Sequence, residues 1–270
     1  MMGGVLAAIA RDRLCLVEQR RRVLPERELR QLAEARAERA LDFVASLRAA
    51  GAPALVAEIK RRLPSAGLLR PNLDVGRVCL QYVLAGACAI SILTEPNYFG
   101  GDYADLRVAK RALGPVGGAP LLLKDFVLTS YQLYEARLVG ADAVLLIAAC
   151  LSDTQLSELY SLTLELGMCP LVEVHSEEEL SRVVALSPAI VGINNRDLVT
   201  MQTSLSTTFQ LAPLVPPGSL ILSESGIRTR RDVEAVLSAG AHAVLVGESI
   251  LREADVGKKI RQLLGKEQGD

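Results

Sequence analysis

The sequence is poor in the features on which nucleic-acid binding depends. It contains no tryptophan, its aromatic residues make up only 4% of the chain, and its 30 Lys and Arg residues are offset by 31 Asp and Glu residues. Proteins that bind nucleic acid need a basic surface, and those that bind single strands usually stack bases on aromatic rings. We therefore expect no nucleic-acid partner.

Cysteine and histidine are scarce as well. The five cysteines are scattered, odd in number and without paired spacing, and there are only two histidines, His175 and His242. Such cysteine usage is typical of a reducing compartment, and so few nitrogen and sulfur ligands argue against a metal centre. We expect a cytoplasmic protein without a bound metal, in which neither histidine has a special role.

A long apolar run is also missing near the beginning of the chain. The run from Val5 to Ala10 is short and is followed at once by Arg11 and Asp12. A signal peptide or a membrane-spanning helix needs a longer apolar segment. We therefore expect no membrane partner.

What the sequence does contain is an alternation of short apolar runs with amphipathic helical segments after Pro53. Three helix-to-strand joins repeat the phrase Gly-Ala-Xaa-Ala, beginning at Gly86, Gly140 and Gly240. Glycine suits these joins because it takes the left-handed conformation that ends a helix without strain. The eight runs predicted as strands are 54–59, 88–93, 120–124, 142–147, 169–174, 189–193, 219–224 and 242–246.

Eight strands joined by helices predict a (β/α)₈ barrel. We expect one domain over residues 1–270, with the barrel over 51–270 and a helical extension over 1–50. Residues 4–48 have mostly helical spacing of apolar residues, interrupted near Pro25. A doubly wound parallel sheet is the alternative fold, although no glycine-rich nucleotide fingerprint follows any of the strands.

Charged residues stand at the ends of the odd-numbered strands of this predicted barrel. The first strand ends in Glu58 and Lys60, which point to one face because side chains on a strand alternate. The third, fifth and seventh strands end in Lys124, Glu173 and Glu224. Alternate strands of such a barrel share one layer of inward side chains, and the active site lies at the C-terminal mouth. We therefore expect these five residues to meet at the mouth.

Where two lysines lie among three carboxylates, the neighbours of each group shift its pKa and so decide whether it gives or accepts a proton. A structural layer of salt bridges is the alternative, but burying five ionisable groups without a task is costly. The pattern therefore predicts acid–base catalysis that needs no metal.

The sixth strand leads into Asn194 and Arg196. An asparagine can orient a substrate, and an arginine can bind a carboxylate with its planar fork of donors. An ordinary turn is the alternative interpretation of this segment.

The loops after the last two strands contain glycine. Ser225 and Gly226 follow the seventh strand, and Gly247 and Glu248 follow the eighth, where a short helix is expected to begin. Backbone N–H groups from these two loops, with the helix N-terminus, form the usual phosphate site of such barrels. The sequence thus predicts a phosphorylated small-molecule substrate.

Taken together, these residues resemble the indole-3-glycerol phosphate synthase family of tryptophan biosynthesis. The resemblance covers nearly the whole chain, although the N-terminal helices are similar in pattern only. It rests on the phrases Ala57-Glu-Ile-Lys, Pro64-Ser-Ala-Gly, Leu93-Thr-Glu-Pro-Asn-Tyr-Phe-Gly-Gly, Lys124-Asp-Phe, Leu171-Val-Glu-Val-His, Gly192-Ile-Asn-Asn-Arg-Asp-Leu, Ser223-Glu-Ser-Gly-Ile and Val246-Gly-Glu.

The resemblance implies a reaction and no cofactor. The family closes the indole ring of 1-(2-carboxyphenylamino)-1-deoxyribulose 5-phosphate with loss of CO₂ and water. Lys124 matches the general acid of ring closure, and Glu173 matches a carboxylate that stabilises charge on the anilino nitrogen or acts as a base. Glu58 and Lys60 match a pair assigned to binding and to the later dehydration.

The remaining positions carried over from the family concern the substrate. Asn194 matches a catalytic and positioning residue. One position departs from the family pattern, because Leu63 replaces a serine whose hydroxyl faces the substrate in relatives. The implied substrate-binding residues are Arg196, Glu224, Ser225, Gly226, Gly247, Glu248 and Ser65.

Two other functions fit the residues less well. A phosphosugar barrel such as phosphoribosylanthranilate isomerase needs only one acid and one base, fewer than the charged strand ends supply. A non-catalytic sensor of phosphorylated ligands has little reason to keep Lys60 and Lys124 opposite Glu173. As to protein partners, weak docking to other enzymes of the tryptophan pathway is a hypothesis.

Overall fold

The structure is a computed structural model that describes residues 4–63, 67–70, 72–197 and 200–266. Eight parallel strands close a barrel in which neighbours follow the order of the chain and the last strand pairs with the first. This closure confirms the (β/α)₈ barrel and excludes the doubly wound sheet. The barrel strands are β1 (Ala54–Ile59), β4 (Ala89–Leu93), β5 (Leu121–Lys124), β6 (Ala143–Ile147), β7 (Cys169–Val174), β8 (Ile190–Asn194), β9 (Leu220–Glu224) and β10 (Ala243–Val246).

A small antiparallel hairpin, which the sequence analysis did not predict, follows β1. It pairs β2 (Arg62–Leu63) with β3 (Gly67–Leu68). The backbone N–H of Arg62 also donates to the carbonyl of Phe99 (3.1 Å), in the loop after β4. The hairpin is therefore tied to the neighbouring loop at the barrel mouth.

The helices lie around the barrel and before it. None of those in the described part of the chain is both long and apolar enough to cross a membrane. The helices are α1 (Gly4–Val23), α2 (Glu26–Glu34), α3 (Phe43–Ala50), α4 (Val75–Leu84), α5 (Tyr103–Leu113), α6 (Ser130–Val139), α7 (Asp153–Glu165), α8 (Glu177–Val184), α9 (Ser206–Leu211), α10 (Arg230–Ser238), α11 (Glu248–Leu251) and α12 (Val256–Leu264).

The strands are apolar on both faces because both faces are covered. Every residue of β1, β4, β6, β8, β9 and β10 is buried. In a closed parallel barrel one face packs on the inner layers of side chains and the other on the surrounding helices. This is why the strands are continuous apolar runs in the sequence rather than alternating ones.

The three repeated joins adopt the conformation that the glycines predict. Gly86, Gly140 and Gly240 have φ values of +107°, +92° and +108°. In each join the N–H of the next alanine donates to a carbonyl five residues earlier, at 3.0 Å. This is the hydrogen bond of a Schellman C-cap, and it turns the chain from each helix into the following strand.

The third residue of the same phrase fastens the beginning of a strand in two of the three joins. Nδ1 of His242 accepts a hydrogen bond from the backbone N–H of Ile221 (3.1 Å). The carboxylate of Asp142 accepts a hydrogen bond from the backbone N–H of Leu121 (2.8 Å) and forms an ion pair with Lys110 (2.8 Å). These residues precede their strands, so they lie at the N-terminal end of the barrel. His242 is thus remote from the mouth.

The N-terminal extension is broken twice rather than once. The break near Pro25 is present, but residues 35–42 are not helical, so the prediction of a helix over 26–48 is wrong there. The side chain of Arg137 donates to the carbonyls of Arg36 (3.1 Å) and Glu38 (2.6 Å), which holds this segment extended against α6. The new helix begins where Asp42 caps it. A tertiary contact thus outweighs local helical propensity.

Helix α1 is fastened to the barrel by a buried ion pair. The side chains of Arg13 and Asp125 are fully buried, with Nη2 and Oδ2 2.6 Å apart. Asp125 also accepts the hydroxyl of Thr94 (2.6 Å) and the N–H of Phe126 (2.8 Å). Since Asp125 follows Lys124 directly, this ion pair joins α1 to the end of the strand that carries the predicted acid.

We expect Arg13→Met to lower the free energy of unfolding by about 3 kcal/mol, because removing one partner leaves a buried carboxylate without its counter-charge. The measurement is urea unfolding at neutral pH. Arg22→Met, on the exposed side of the same helix, is the control and should change little. A loss below about 1 kcal/mol, the usual ceiling for an exposed pair, would show that the pair does not fasten α1.

Candidate active site

A cavity of about 550 Å³ opens at the C-terminal mouth of the barrel. Its charged floor includes Glu58, Lys60, Lys124 and Glu173, which the sequence analysis placed at strand ends. The structure brings these residues together because each strand ends at the same rim. A fifth residue, Glu224, lies below this lining and is 1% exposed.

Lys124 is the centre of the charged floor. Its Nζ lies 2.5 Å from Oε2 of Glu224 and 3.1 Å from Oε2 of Glu173. Burial alone lowers the pKa of Lys124, but the two carboxylates and the more distant Glu58 outweigh it, so that the pKa is raised. The ammonium form of Lys124 is therefore stabilised on the floor of the cavity.

The two carboxylates that contact Lys124 differ in their protonation. Burial raises the pKa of Glu173, but Lys124, His175 and a hydrogen bond from Asn194 outweigh it, and the net shift is downward. Burial raises the pKa of Glu224 to about 7, since the attraction of Lys124 is opposed by the charge of Glu173. The pKa values of the two carboxylates are thus shifted in opposite directions.

The environment of Glu224 agrees with this difference. Its Oε1 is buried and has no hydrogen-bond partner among the described residues. A Cβ atom on Gly192 would lie 2.3 Å from this oxygen. Gly192 therefore makes room for the carboxyl group of Glu224 beneath Lys124.

Glu58 and Lys60 form a second ion pair beside the first cluster. Both side chains are nearly buried, at 4% and 11% exposure. A Cβ atom on Gly247 would lie 2.5 Å from Oε1 of Glu58, so that the loop after β10 closes against this carboxylate only with glycine there. The predicted ion pair and the predicted glycine are thus parts of one packing arrangement.

The rim of the cavity is polar and rich in cations. Nη2 of Arg196 lies 3.7 Å from Oε2 of Glu248, and Nε of Arg196 donates to Thr203 (3.2 Å). Ser225 and Gly226 line the same side with φ values of +65° and +80°. The cationic lining residues on this side are Arg196, Arg228, Arg252 and Lys259.

A buried polar network supports the loop that carries Ser225. Nδ2 of Asn195 donates to the carbonyls of Glu224 (2.9 Å) and Ser225 (3.1 Å), and Oδ1 accepts from Thr208 (2.9 Å). Left-handed backbone is strained for a residue other than glycine. The network fixes the carbonyls on either side of this strained residue.

The opposite wall is apolar, and sequence reasoning did not single out its residues. The rings of Phe99 and Phe126 stack with centroids 6.4 Å apart, and α1 adds Leu6 and Ile9. The two phenylalanines stand within phrases that carried the family resemblance, and those phrases were the available signal. The α1 residues gave no signal, because their place follows from how the extension docks.

His175, which was expected to have no special role, contacts one of the carboxylates of the floor. Its Nε2 lies 3.2 Å from Oε1 of Glu173.

Two other positions concern the loop after β1. Leu63 is 2% exposed and therefore packs as an apolar side chain, and the candidate substrate-binding residue Ser65 lies outside the described residues.

No cluster of three or more His, Cys, Asp or Glu residues suited to a metal ion occurs in the part of the chain that the structure describes. The carboxylates of the floor are bound by lysines instead. The chemistry that these residues offer is proton transfer and charge stabilisation.

A closed (β/α)₈ barrel with acid–base side chains at its C-terminal mouth defines a barrel enzyme. The family model for indole-3-glycerol phosphate synthase matches residues 6–263. The chain belongs to this family of carboxy-lyases of tryptophan biosynthesis.

Individual relatives agree with the family match. The chain is 43% identical to an indole-3-glycerol phosphate synthase of Roseiflexus sp. over 98% of this chain and 99% of that protein. It is 41% identical to that of Dehalococcoides mccartyi over 96% of this chain and 100% of that protein. It is also 45% identical to a multifunctional tryptophan biosynthesis protein of Phycomyces blakesleeanus, of which it spans 29%.

Solved structures of low sequence identity show the fold alone. A thiamine phosphate pyrophosphorylase from Pyrococcus furiosus superposes with a TM-score of 0.60 at 17% identity, over 83% of this chain and 96% of that one. A tryptophan synthase complex from the same organism gives a TM-score of 0.57 at 18% identity, over 80% of this chain and 98% of that one.

We expect Gly192→Ala to lower turnover of the family substrate by about a hundredfold, since a misplacement of roughly 1 Å can cost that much. The added methyl group would displace Glu224 from beneath Lys124. The measurement is steady-state turnover followed by indole fluorescence. Gly114→Ala, where a Cβ atom meets nothing within 4 Å, is the control. Wild-type turnover of the Gly192 variant would show that the position of Glu224 is unimportant.

Proposed function

We propose that this chain converts 1-(2-carboxyphenylamino)-1-deoxyribulose 5-phosphate into indole-3-glycerol phosphate, CO₂ and water. The observation that carries the proposal is the position of Lys124 between Glu173 and Glu224, on the floor of a cavity with an apolar wall and a cationic rim. Family membership supports the same reaction.

The two sides of the cavity suit the two ends of this substrate. The aromatic ring fits the apolar wall that contains Phe99 and Phe126, because burying a ring against rings is favourable. The phosphate fits the opposite rim, where Arg196 and the loops at Ser225, Gly226 and Gly247 lie. Guanidinium groups and backbone N–H groups are the usual phosphate donors of such barrels. The ketone then lies above the charged floor.

The reaction on this floor needs proton transfers but no oxidant or reductant. The ring carbon that bears the carboxylate attacks the ketone carbon, and the ketone oxygen takes up a proton. The bond to the carboxylate breaks as CO₂ leaves, and its electron pair restores the aromatic ring. The new hydroxyl group then leaves as water while the neighbouring CH₂ group loses a proton.

In this proposal Lys124 is the acid of ring closure. An ammonium ion can protonate the developing alkoxide, which is the stronger base, even though the neighbouring carboxylates raise the pKa of Lys124. Glu173, which is ionised, stabilises positive charge that builds on the anilino nitrogen or accepts a proton. Asn194 helps to keep the pKa of Glu173 low.

The ion pair of Glu58 and Lys60 is assigned to the dehydration. Lys60 lies in the cavity lining, where an ammonium group can assist the departure of the hydroxyl group, and Glu58 can accept the proton from carbon. Two acid–base pairs for two successive proton transfers explain why the floor has more charged residues than an isomerase needs. The same surplus argues against a sensor that only binds phosphate.

We also propose that the protein works in the cytoplasm and docks weakly to other enzymes of the pathway. Scattered cysteines without pairing support the first point. The relative from Phycomyces blakesleeanus, a multifunctional tryptophan biosynthesis protein of which this chain spans 29%, supports the second. The proposal of one domain over residues 1–270 rests on α1 lining the cavity of the barrel.

We expect Lys124→Ala to lower the turnover number by about two to four decades, the usual contribution of a positioned acid, with the circular dichroism spectrum unchanged. Fluorescence of the indole product gives the rate. The exposed Lys258→Ala is the matched control and should turn over like the wild type. Retention of more than about a tenth of wild-type turnover would remove Lys124 from the acid role.

Turnover is expected to need no added metal and to survive dialysis against a chelator, because the floor pairs its carboxylates with lysines. The same fluorescence assay measures this before and after dialysis. Activity that disappears with the chelator and returns with a divalent ion would overturn the prediction.

A further inference from the structure

The imidazole of His175 lies between two carboxylates immediately after β7. Its Nε2 is 3.2 Å from Oε1 of Glu173, and its Nδ1 is 3.2 Å from Oε2 of Glu179 on α8. The backbone N–H of His175 donates to the same Glu179 oxygen at 2.8 Å. The side chain of His175 is 13% exposed, so both contacts are shielded from water.

These contacts extend the charged floor into an alternating row of five groups. The row runs from Glu179 through His175 to Glu173, then through Lys124 to Glu224. Each neighbouring pair in it has opposite formal charge when His175 is protonated. Glu173 is the middle member, with Oε1 toward His175 and Oε2 toward Lys124.

The two carboxylates on either side of the ring favour the imidazolium form. A neutral imidazole donates from one nitrogen only, so its other nitrogen would place a lone pair against a buried carboxylate. The protonated ring donates from Nδ1 to Glu179, and its Nε2 side forms an ion pair with Glu173 at 3.2 Å that lacks the alignment of a hydrogen bond. Burial alone lowers the pKa of His175, but the bonds to Glu173 and Glu179 outweigh it and raise the pKa to about 10.

We infer that His175, held by Glu179, is a positioning residue that keeps Glu173 ionised and aimed at Lys124 and at the substrate. The inference deepens the proposed function, on which it rests. His175 need not touch the substrate for this role. It acts through Glu173, because it contacts Oε1 of that carboxylate while Oε2 faces Lys124.

A purely structural role is the competing explanation. Glu179 belongs to the first turn of α8, and its own N–H is capped by Ser176 (3.2 Å). The bond from the backbone of His175 to Glu179 would then only fasten the beginning of that helix. Such a role predicts a loss of stability without any change in the pH dependence of the reaction.

The titratable neighbours of this row are few among the described residues. Glu173 faces His175 from β7, Glu179 from α8, and Lys124 lies beyond Glu173 on β5. Cys150, in the turn after β6, senses both carboxylates, and burial with their charge raises the pKa of its thiol to about 12. The thiol therefore stays neutral while the others change.

The first test needs no substrate. With only two histidines in the chain, the imidazole signals of the wild type can be followed by NMR against pH and assigned with His242→Gln. We expect His175 to keep both protons until about pH 10. Loss of its proton near neutrality overturns the inference, whether or not the protein converts the proposed substrate.

The second test is kinetic. His175→Gln removes the charge but keeps a donor, so the pKa of Glu173 should rise. The acid limb of the turnover profile should move up by about one pH unit, so that turnover at a pH on this limb falls about tenfold while turnover at neutral pH changes little, since one pKa unit corresponds to a factor of ten. The Michaelis constant should change less than twofold, because the residue acts on the reacting groups rather than on binding.

Two further variants separate positioning from helix capping. Glu179→Gln keeps an acceptor for the backbone of His175 but removes the outer charge, so the acid limb should move in the same direction by a smaller amount. His242→Gln, at the other end of the barrel, should leave the profile unchanged. A lower melting temperature in the His175 and Glu179 variants, with a wild-type pH profile, would assign these residues to capping and overturn the inference.

Discussion

The buried ammonium group of Lys124 is the constraint on which the site depends. A charge taken out of water must be compensated by nearby opposite charge, and here Glu173 and Glu224 provide it at 3.1 and 2.5 Å. Burial raises the pKa of Glu224 to about 7, and the nearby charge of Glu173 adds to this rise. The need for room beneath the lysine then accounts for Gly192, where any Cβ would meet Glu224.

A second buried pair couples the N-terminal extension to this centre. Asp125 follows Lys124 directly, and its contact with Arg13 places α1 against the strand end that carries the acid. Helix α1 in turn contributes Leu6 and Ile9 to the apolar wall of the cavity. The extension is thus part of the cavity, and its docking excludes water from one side of the charged floor, where low polarity strengthens electrostatic interactions.

The sequence predicted the barrel and its charged strand ends well because both follow from local pattern. Parallel strands buried on two faces are continuous apolar runs, so a charge that ends such a run, as Lys124 does, is conspicuous. The break after α2 was not predictable, since it depends on Arg137, a residue about a hundred positions away. The contacts of His175 were not predictable for a similar reason: Glu179 and Glu173 approach it from both sides, and spacing in the chain does not reveal that.

The depth of Glu224 bears on how Lys124 can act as an acid in repeated turnovers. Sequence resemblance assigned Glu224 to substrate positioning, which stays a prediction, and the structure places it under the lysine at 1% exposure. In the proposed reaction Lys124 becomes a neutral amine 2.5 Å from Glu224, a carboxyl group whose pKa is raised by burial. We propose that Glu224 then returns a proton to this amine, which is much the stronger base. Glu173 is less suited to this role, since Lys124 and His175 lower its pKa. The two carboxylates have different environments because His175 stands beside only one of them.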